Sequence, residues 1–350
     1  MMSIEEIEKI EKIPMFFIIG RPRSGTTMLS TILDANRQTA MPIESKVIVF
    51  LYFKYKKVKS WDEKLLLKFY DAIFEQPKMD TWMINKTKLK EEILQLGEKA
   101  TFQRLIKLIY LNYISFFEKE NIIIIGDKNP GYSYVISHFK ILLDLFPDAK
   151  IIHLTRDYRD HYLSMRKVDF EGNHLSLVCY KWKYSFLNIR KIMKNNPQNY
   201  YFLRYEDLVI HPEKEMTTLC SFLGITFHKS MLEYYKIKDK VLEKYTEEEV
   251  MKYHSSLFQP INADFVGKWK HKLTTKQIEL ADSIVGQTGI EAGYEQQLIK
   301  DKLQYKIYVL PEMLYSKLWL FYKRWYDKFF LPKRQKHGLM SQIYFSIFRR

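Results

Sequence analysis

Four short apolar runs punctuate the chain: Phe16-Phe17-Ile18-Ile19, ended by Gly20; residues 122–125, ended by Gly126; Ile151-Ile152-His153-Leu154; and residues 200–203. Continuous apolar runs of this length, without alternation, fit strands covered on both faces, as in a parallel sheet. Between them apolar residues recur at helical spacing, first at Phe102, Leu105, Ile106, Ile109, Tyr113 and Phe116, then at Ile136, Phe139, Leu143 and Phe146. Helices in those places read as crossovers, so the pattern predicts an α/β chain with a central parallel sheet flanked by helices. Such sheets receive ligands at the carboxyl ends of their strands, which makes the residues just after each run the candidate site.

Composition narrows the class. With 350 residues, 47% of them hydrophobic, the chain can bury about 75% of its unfolded surface, which excludes a disordered protein or a disulfide-stapled miniature. Cys179 and Cys220 are the only cysteines and stand far apart, so both are expected as small buried hydrophobes in a reducing compartment. Residues 1–14 carry Glu5, Glu6, Glu8 and Glu11 on a helical period, unlike the basic and apolar regions of a signal peptide. The longest uncharged stretches, such as 338–348 and 47–53, fall short of the roughly 18 residues that cross a bilayer. The expectation is a soluble or peripheral protein, cytoplasmic or at the inner membrane surface.

Charge adds a direction. Fifty-six Lys and Arg against 41 Asp and Glu leave +15, which favours nucleic acid, anionic lipid or a phosphorylated small molecule. Residues 302–350 hold eleven of the basic residues against only Glu312 and Asp327, more than half of the surplus. There Leu314, Leu318, Phe321, Trp325 and Phe329 recur at helical spacing, with Lys317, Lys323, Arg324 and Lys328 between them, as in an interfacial helix. Packing onto the rest of the chain, or onto a second subunit of a homodimer, is the alternative. The expected division is an N-terminal segment 1–14, a principal domain 15–297 and a basic, aromatic, helical C-terminal extension 298–350.

The chemistry clusters after the first and third runs. Gly20-Arg21-Pro22-Arg23-Ser24-Gly25-Thr26-Thr27 leads from strand to helix, an order that aims backbone N–H groups and a positive helix end at one anion. The pattern G-x-x-x-x-G-T-T is nearly a Walker A loop, but Thr26 stands where the phosphate-reaching Lys would be. ATP-dependent phosphoryl transfer relies on that Lys and on magnesium; a sulfuryl group carries less charge, and a loop with Arg23 and two threonines suits it without a metal. The third run is followed by Arg156-Asp157-Tyr158-Arg159-Asp160-His161-Tyr162-Leu163-Ser164, in which Arg156 offers a guanidinium fork for a phosphate and Ser164, placed on the first turns of the next helix, adds a donor. On its own this segment reads equally as a helix-start charge cluster with Asp157 as cap.

The pair P-R-S-G-T-T and R-D-x-R-D-x-x-x-S, in this order, resembles the two cofactor signatures of sulfotransferases that use 3′-phosphoadenosine-5′-phosphosulfate. Further resemblance runs through Asp127-Lys128-Asn129-Pro130, Arg204-Tyr205-Glu206-Asp207-Leu208-Val209 with His211-Pro212-Glu213, Phe222-Leu223-Gly224 and Gly267-Lys268-Trp269, and covers about residues 15–295. With Arg23 in place of Lys, and Leu33-Asp34-Ala35-Asn36 followed by Pro42-Ile43-Glu44-Ser45, the chain looks most like the tyrosylprotein and bacterial branch. The resemblance implies a P-loop-like sulfotransferase fold, with Glu44 as general base and Arg23 and Lys128 stabilising the sulfuryl group and leaving phosphate. It implies Ser24, Gly25, Thr26 and Thr27 with Arg23 on the 5′ side, Arg156 and Ser164 on the 3′-phosphate, and Tyr205 and Lys268 closing the pocket. The family's further Arg is unmatched, since Val168 stands there and Arg166 is two residues off, and a pocket serine falls at Ser255 or Ser256.

Physical chemistry agrees with that assignment. An acceptor hydroxyl needs a base within about 3 Å as the S–O bond forms, and cations must offset the charge growing on the leaving oxygen, each worth on the order of 3 kcal/mol. No carboxylate or His cluster has metal-ligand spacing. The expected activity is therefore O-sulfuryl transfer to a lipid, sterol or other small alcohol, with no nucleic-acid partner. The aromatic segment 47–53 after Glu44 suits a lipophilic acceptor or simply packs on the sheet. The alternatives are a protein tyrosine or glycan as acceptor, and a P-loop small-molecule kinase with residues 122–127 as a Walker B-like strand.

Overall fold

Five parallel strands form one sheet. β1 (Met15–Ile19) is its centre, with β2 (Thr39–Ala40) and β3 (Ile124–Lys128) on one side and β4 (Lys150–Thr155) and β5 (Tyr200–Arg204) on the other, in the order β2-β3-β1-β4-β5. The computed structural model describes residues 2–168, 174–237, 259–297 and 303–330. Phe16, Phe17, Ile18 and Ile19 have no accessible surface, and full burial of such a side chain contributes about 1.5–3 kcal/mol. Successive residues serve opposite faces: Phe17 and Ile19 join one apolar cluster, Phe16 and Ile18 another.

Helices cover both faces. In chain order they are α1 (Ile4–Lys12), α2 (Thr26–Asp34), α3 (Val47–Tyr55), α4 (Glu63–Phe74), α5 (Lys86–Leu96), α6 (Phe102–Leu111), α7 (Ile136–Leu145), α8 (Tyr158–Met165), α9 (Leu175–Met193), α10 (Tyr205–Ile210) and α11 (Pro212–Leu223). Trp269–Lys272, Thr275–Val285, Gln287–Glu291 and the 28-residue helix Leu303–Phe330 follow. α1 opens with a capping box between Ser3 and Glu6, buries Ile7 and Ile10, and is tied to α6 where Lys107 Nζ donates to the Glu11 carbonyl at 2.6 Å. Cys179 and Cys220 are free and buried.

The elements depart from the sequence pattern in instructive places. β3 begins two residues later than its apolar run and carries on through Gly126, Asp127 and Lys128, because pairing with β1 extends to Ile18 opposite Lys128. Gly126 therefore lies inside the strand rather than ending it, and a Cβ there would overlap Met41 and Phe16. α6 stops at Leu111, leaving Tyr113 to bridge Ile84 outside the helix. Within 47–53, Val47, Ile48, Val49 and Leu51 are fully buried in the apolar core, where α3 packs against α4, α6 and α7. The last helix docks by Met313 against the cluster around α8 and α9, and by Trp319, whose ring lies 6.0 Å from Tyr134 and under Lys181 Nζ at 4.7 Å. Residues 331–350 of the C-terminal extension lie outside the described residues.

Candidate active site

The carboxyl ends of β3, β1 and β4 stand side by side, and the loop from Gly20 to Gly25 crosses the middle one into α2. Two residues in it take left-handed backbone angles, Arg23 at φ 66° and Gly25 at φ 90°. Gly25 meets two demands at once, since a Cβ there would come within 2.6 Å of the Tyr205 ring. A non-glycine residue in this region stores strain, the kind that surrounding structure holds in place at functional sites. Here His161 holds the loop through a 2.9 Å hydrogen bond between its Nε2 and the Pro22 carbonyl.

Arg23 and Arg156 meet across this loop. Arg156 Nη1 donates to the Arg23 carbonyl at 3.3 Å, and Arg23 Nε donates to Ser164 Oγ at 3.2 Å. The Arg156 guanidinium lies 4.7 Å from the Tyr205 ring centre and donates from Nη2 to the Phe265 carbonyl at 2.8 Å, while Trp182 Nε1 donates to the Arg156 carbonyl at 2.9 Å. Burial and then the neighbouring Arg156 push the Arg23 pKa below its ordinary value, and neither Arg forms an ion pair with a carboxylate among the described residues. Ser24 Oγ and Arg156 Nε are buried without a hydrogen-bond partner among the described residues. Two crowded cations and two unanswered donors fit a bound anion.

Glu44 completes the β3 side. Lys128 Nζ lies 3.0 Å from Glu44 Oε2 and 3.4 Å from Thr27 Oγ1, and Lys78 Nζ lies 2.9 Å from Glu44 Oε1. Burial alone would raise the Glu44 pKa, but the charges and hydrogen bonds of Lys128 and Lys78 outweigh it and hold the carboxyl at about 2. Lys128 is thus paired with Glu44, not with Asp127, whose Oδ1 accepts from Tyr110 at 3.0 Å. Burial pushes Asp127 up to about 7, against the hydrogen bonds of Tyr110 and Tyr132. Among the described residues no three His, Cys, Asp or Glu side chains gather as for a metal ion.

The structure brings together Arg23, Ser24, Gly25, Thr27, Lys128, Glu44, Arg156, Ser164 and Tyr205, and buries Thr26 on the first turn of α2. Ser164 is the seventh residue of the eight-residue α8, in its second turn. Lys268 is exposed and rests 4.4 Å above the Phe265 ring; its own backbone neighbourhood is held by Asp160, which accepts from Gly267 N at 2.6 Å and Trp269 N at 2.9 Å. Arg166 lies 5.8 Å from the Tyr162 ring centre, and Ser255 and Ser256 are outside the described residues. Arg159, the second Arg of its motif, is structural: 1% exposed, it pairs with Asp157 at 2.8 Å and stacks 3.6 Å from Trp269. Sequence reading missed Lys78, Trp182 and the anchoring role of Asp160; only Asp160 carried a signal, its place in the R-D-x-R-D string.

The comparisons agree with this geometry. A solved sulfotransferase domain from the curacin biosynthetic pathway superposes with a TM-score of 0.53 at 18% identity, covering 81% of this chain and 99% of its own, and so shares the fold. Protein-tyrosine sulfotransferase 1 of Danio rerio is 29% identical over 266 residues, 74% of this chain and 66% of its own. Protein-tyrosine sulfotransferase A of Caenorhabditis elegans is 24% identical over 281 residues, 77% of this chain and 65% of its own. The chain thus spans just under two thirds of the length of these relatives. A family model described as the Sulfotransferase family matches residues 14–229, which takes in the loop after β1, Glu44, Lys128, Arg156, Ser164 and Tyr205; the chain belongs to that family.

Proposed function

We propose that this protein moves a sulfuryl group from 3′-phosphoadenosine-5′-phosphosulfate to an acceptor hydroxyl. The observation that carries the reading is the contact of Glu44 with Lys128, itself within reach of Thr27, at the mouth of a loop whose other side bears Arg23, Arg156 and Ser164. The residues present fit the donor: Arg23, Ser24, Gly25, Thr26, Thr27 and Lys128 would hold its 5′ end, and Arg156 and Ser164 its 3′-phosphate, with Tyr205 beside them. When bound, the donor supplies a sulfuryl group on a good leaving phosphate.

Glu44 takes the proton of the acceptor hydroxyl at Oε1 or Oε2. Gripped by two lysines it is always ionised near neutral pH but a weak base, and its basicity rises whenever another anion draws Lys128 or Lys78 away. Lys128 and Arg23 offset negative charge on their side of the site, and burial strengthens that effect. Thr26 stands where a kinase loop would place its Lys, which favours sulfuryl over phosphoryl transfer.

For the acceptor we propose a lipid, sterol or other small alcohol, supported by the helix 303–330 with its exposed apolar residues, whose Trp319 touches Tyr134, the ring that lies 5.2 Å from the Arg21 guanidinium of the loop after β1. A protein tyrosine is the second reading, favoured by the names of the relatives above. The test is a screen of alcohols, sterols, tyrosine peptides and glycans with labelled donor, read by mass spectrometry for addition of one sulfonate. Phosphorylated product with ATP and magnesium, and none with the sulfuryl donor, overturns the proposal.

A further inference from the structure

The helix Leu303–Phe330 carries an apolar stripe that stays exposed among the described residues. Leu303, Ile307, Leu310, Leu314, Leu318 and Phe321 are 56–71% exposed. At 100° per residue they fall within an arc of about 80°, and Trp325, 46% exposed, continues it. Over those turns the stripe runs about 33 Å along the axis. Met313 and Trp319, which dock the helix on the protein, project from other sectors, so the fold holds the stripe outward.

The borders of the stripe differ from each other. Positions Lys306, Lys317 and Arg324 follow one edge, Tyr308, Tyr315 and Tyr322 the other, and Glu312 and Asp327 fall on the far side of the helix. Aliphatic and aromatic residues bordered by cations on one edge and tyrosines on the other match the layering of a membrane interface, from acyl chains to headgroups. Among the described residues no helix is long and apolar enough to cross a bilayer, so such a helix lies along the surface.

Two details separate a flat anionic surface from a second copy of the chain. Leu303 and Phe321 are 18 positions apart, about five whole turns, so the stripe runs parallel to the axis as a plane requires and does not drift as a coiled-coil seam does. Continued at heptad spacing from Leu303, Ile307, Leu310 and Leu314, the seam would meet Lys317, Arg324 and Lys328, charges at positions that a helical partner would desolvate. The excess of eleven basic over two acidic residues in 302–350 supplies the long-range attraction to negative headgroups.

We infer that the Leu303–Phe330 helix is an interfacial anchor that seats the protein on an anionic lipid surface. Seating is a property of this helix, and its test requires neither donor nor acceptor. The full chain is mixed with vesicles of phosphatidylcholine alone or with about 30% phosphatidylserine, floated on a density gradient, and quantified from about 0.05 to about 0.5 M salt. The expected result is flotation with the anionic vesicles that falls several-fold across that salt range and is much weaker with phosphatidylcholine alone. Leu314→Glu with Phe321→Glu, on exposed positions that leave the melting temperature in place, is expected to lower flotation at least ten-fold, and Lys317→Glu with Arg324→Glu to remove most of the salt-sensitive part. Flotation unchanged by Leu314→Glu with Phe321→Glu, or absent from anionic vesicles at low salt, overturns the inference. So does a dimer in sedimentation that Leu314→Glu with Phe321→Glu dissociates while lipid binding persists, which would assign the stripe to a second copy.

Discussion

Lys78 Nζ lies 2.9 Å from Glu44 Oε1, on the opposite side of the carboxylate from Lys128 at 3.0 Å. Lys78 has left-handed backbone angles, φ 69°, and is half exposed, whereas Lys128 is buried. The proposed base is thus held by one fixed cation from inside and one accessible cation from outside.

That arrangement makes the two lysines separable in a pH profile. Glu44, at about 2, stays ionised through the neutral range, so its protonation sets no acid limb of kcat/KM there. Lys78→Met removes one of the two cations that depress it, and the Glu44 pKa is expected to rise, carrying the acid limb upward. Glu44→Gln is expected to lower kcat by about 10²- to 10⁴-fold while leaving nucleotide affinity nearly unchanged. An acid limb that does not move in Lys78→Met shows that the outer lysine has no hold on the base.

Arg156 is the better test of the nucleotide site. Its guanidinium faces the loop, while Trp182 bonds only its main-chain carbonyl, so truncation leaves that support in place. Arg156→Ala should weaken binding of adenosine 3′,5′-bisphosphate on the order of 100-fold, the scale of one charged hydrogen-bonded pair, with little change in melting temperature. Unchanged affinity in calorimetry removes Arg156 from the phosphate site.

Gly25 answers a steric and a conformational demand together. Gly25→Ala is expected to lose nucleotide affinity and some stability, because the new methyl meets Tyr205 and the left-handed backbone disfavours Ala. Adding Tyr205→Ala relieves only the contact, so thermal melts should show partial recovery at most. Full recovery in the double variant would mean that backbone strain at position 25 is negligible.

Asp127 sets a pH dependence of stability. Burial raises its pKa from 3.8 to about 7, so the folded chain binds more protons than the unfolded one between those values and stability falls as pH rises through that window. Glu206, pushed to about 7 by burial, acts with the same sign. Asp127→Asn is expected to flatten the decline seen by denaturant titration between about pH 4 and pH 7. An equally steep decline in the variant would place the proton elsewhere.

Much of this could be read from one chain because parallel strands buried on both faces leave bare apolar runs, and because the loop after β1 and the motif after β4 are local in sequence. β2 escaped notice: two residues, Thr39 and Ala40, become a strand only by pairing with β3. The end of β3 was hidden for the same reason, since Asp127 and Lys128 are polar and are drawn into the sheet by β1. Lys78 had no local mark at all, because its partner Glu44 is 34 residues away and only the fold joins them. Arg159 shows the converse: a motif residue beside Arg156 whose side chain the fold turns into the core.

Gly126 lies opposite Phe16 in the pairing of β3 with β1, and on that face of the sheet the Phe16 ring and the Met41 thioether fill the space a methyl would need. Alanine at position 126 requires the tips of the Phe16 and Met41 side chains to move, or smaller residues at 16 and 41. These three positions should therefore drift as a linked set, and a grafted loop from a distant cousin should fail whenever it brings a different partner for only one of them.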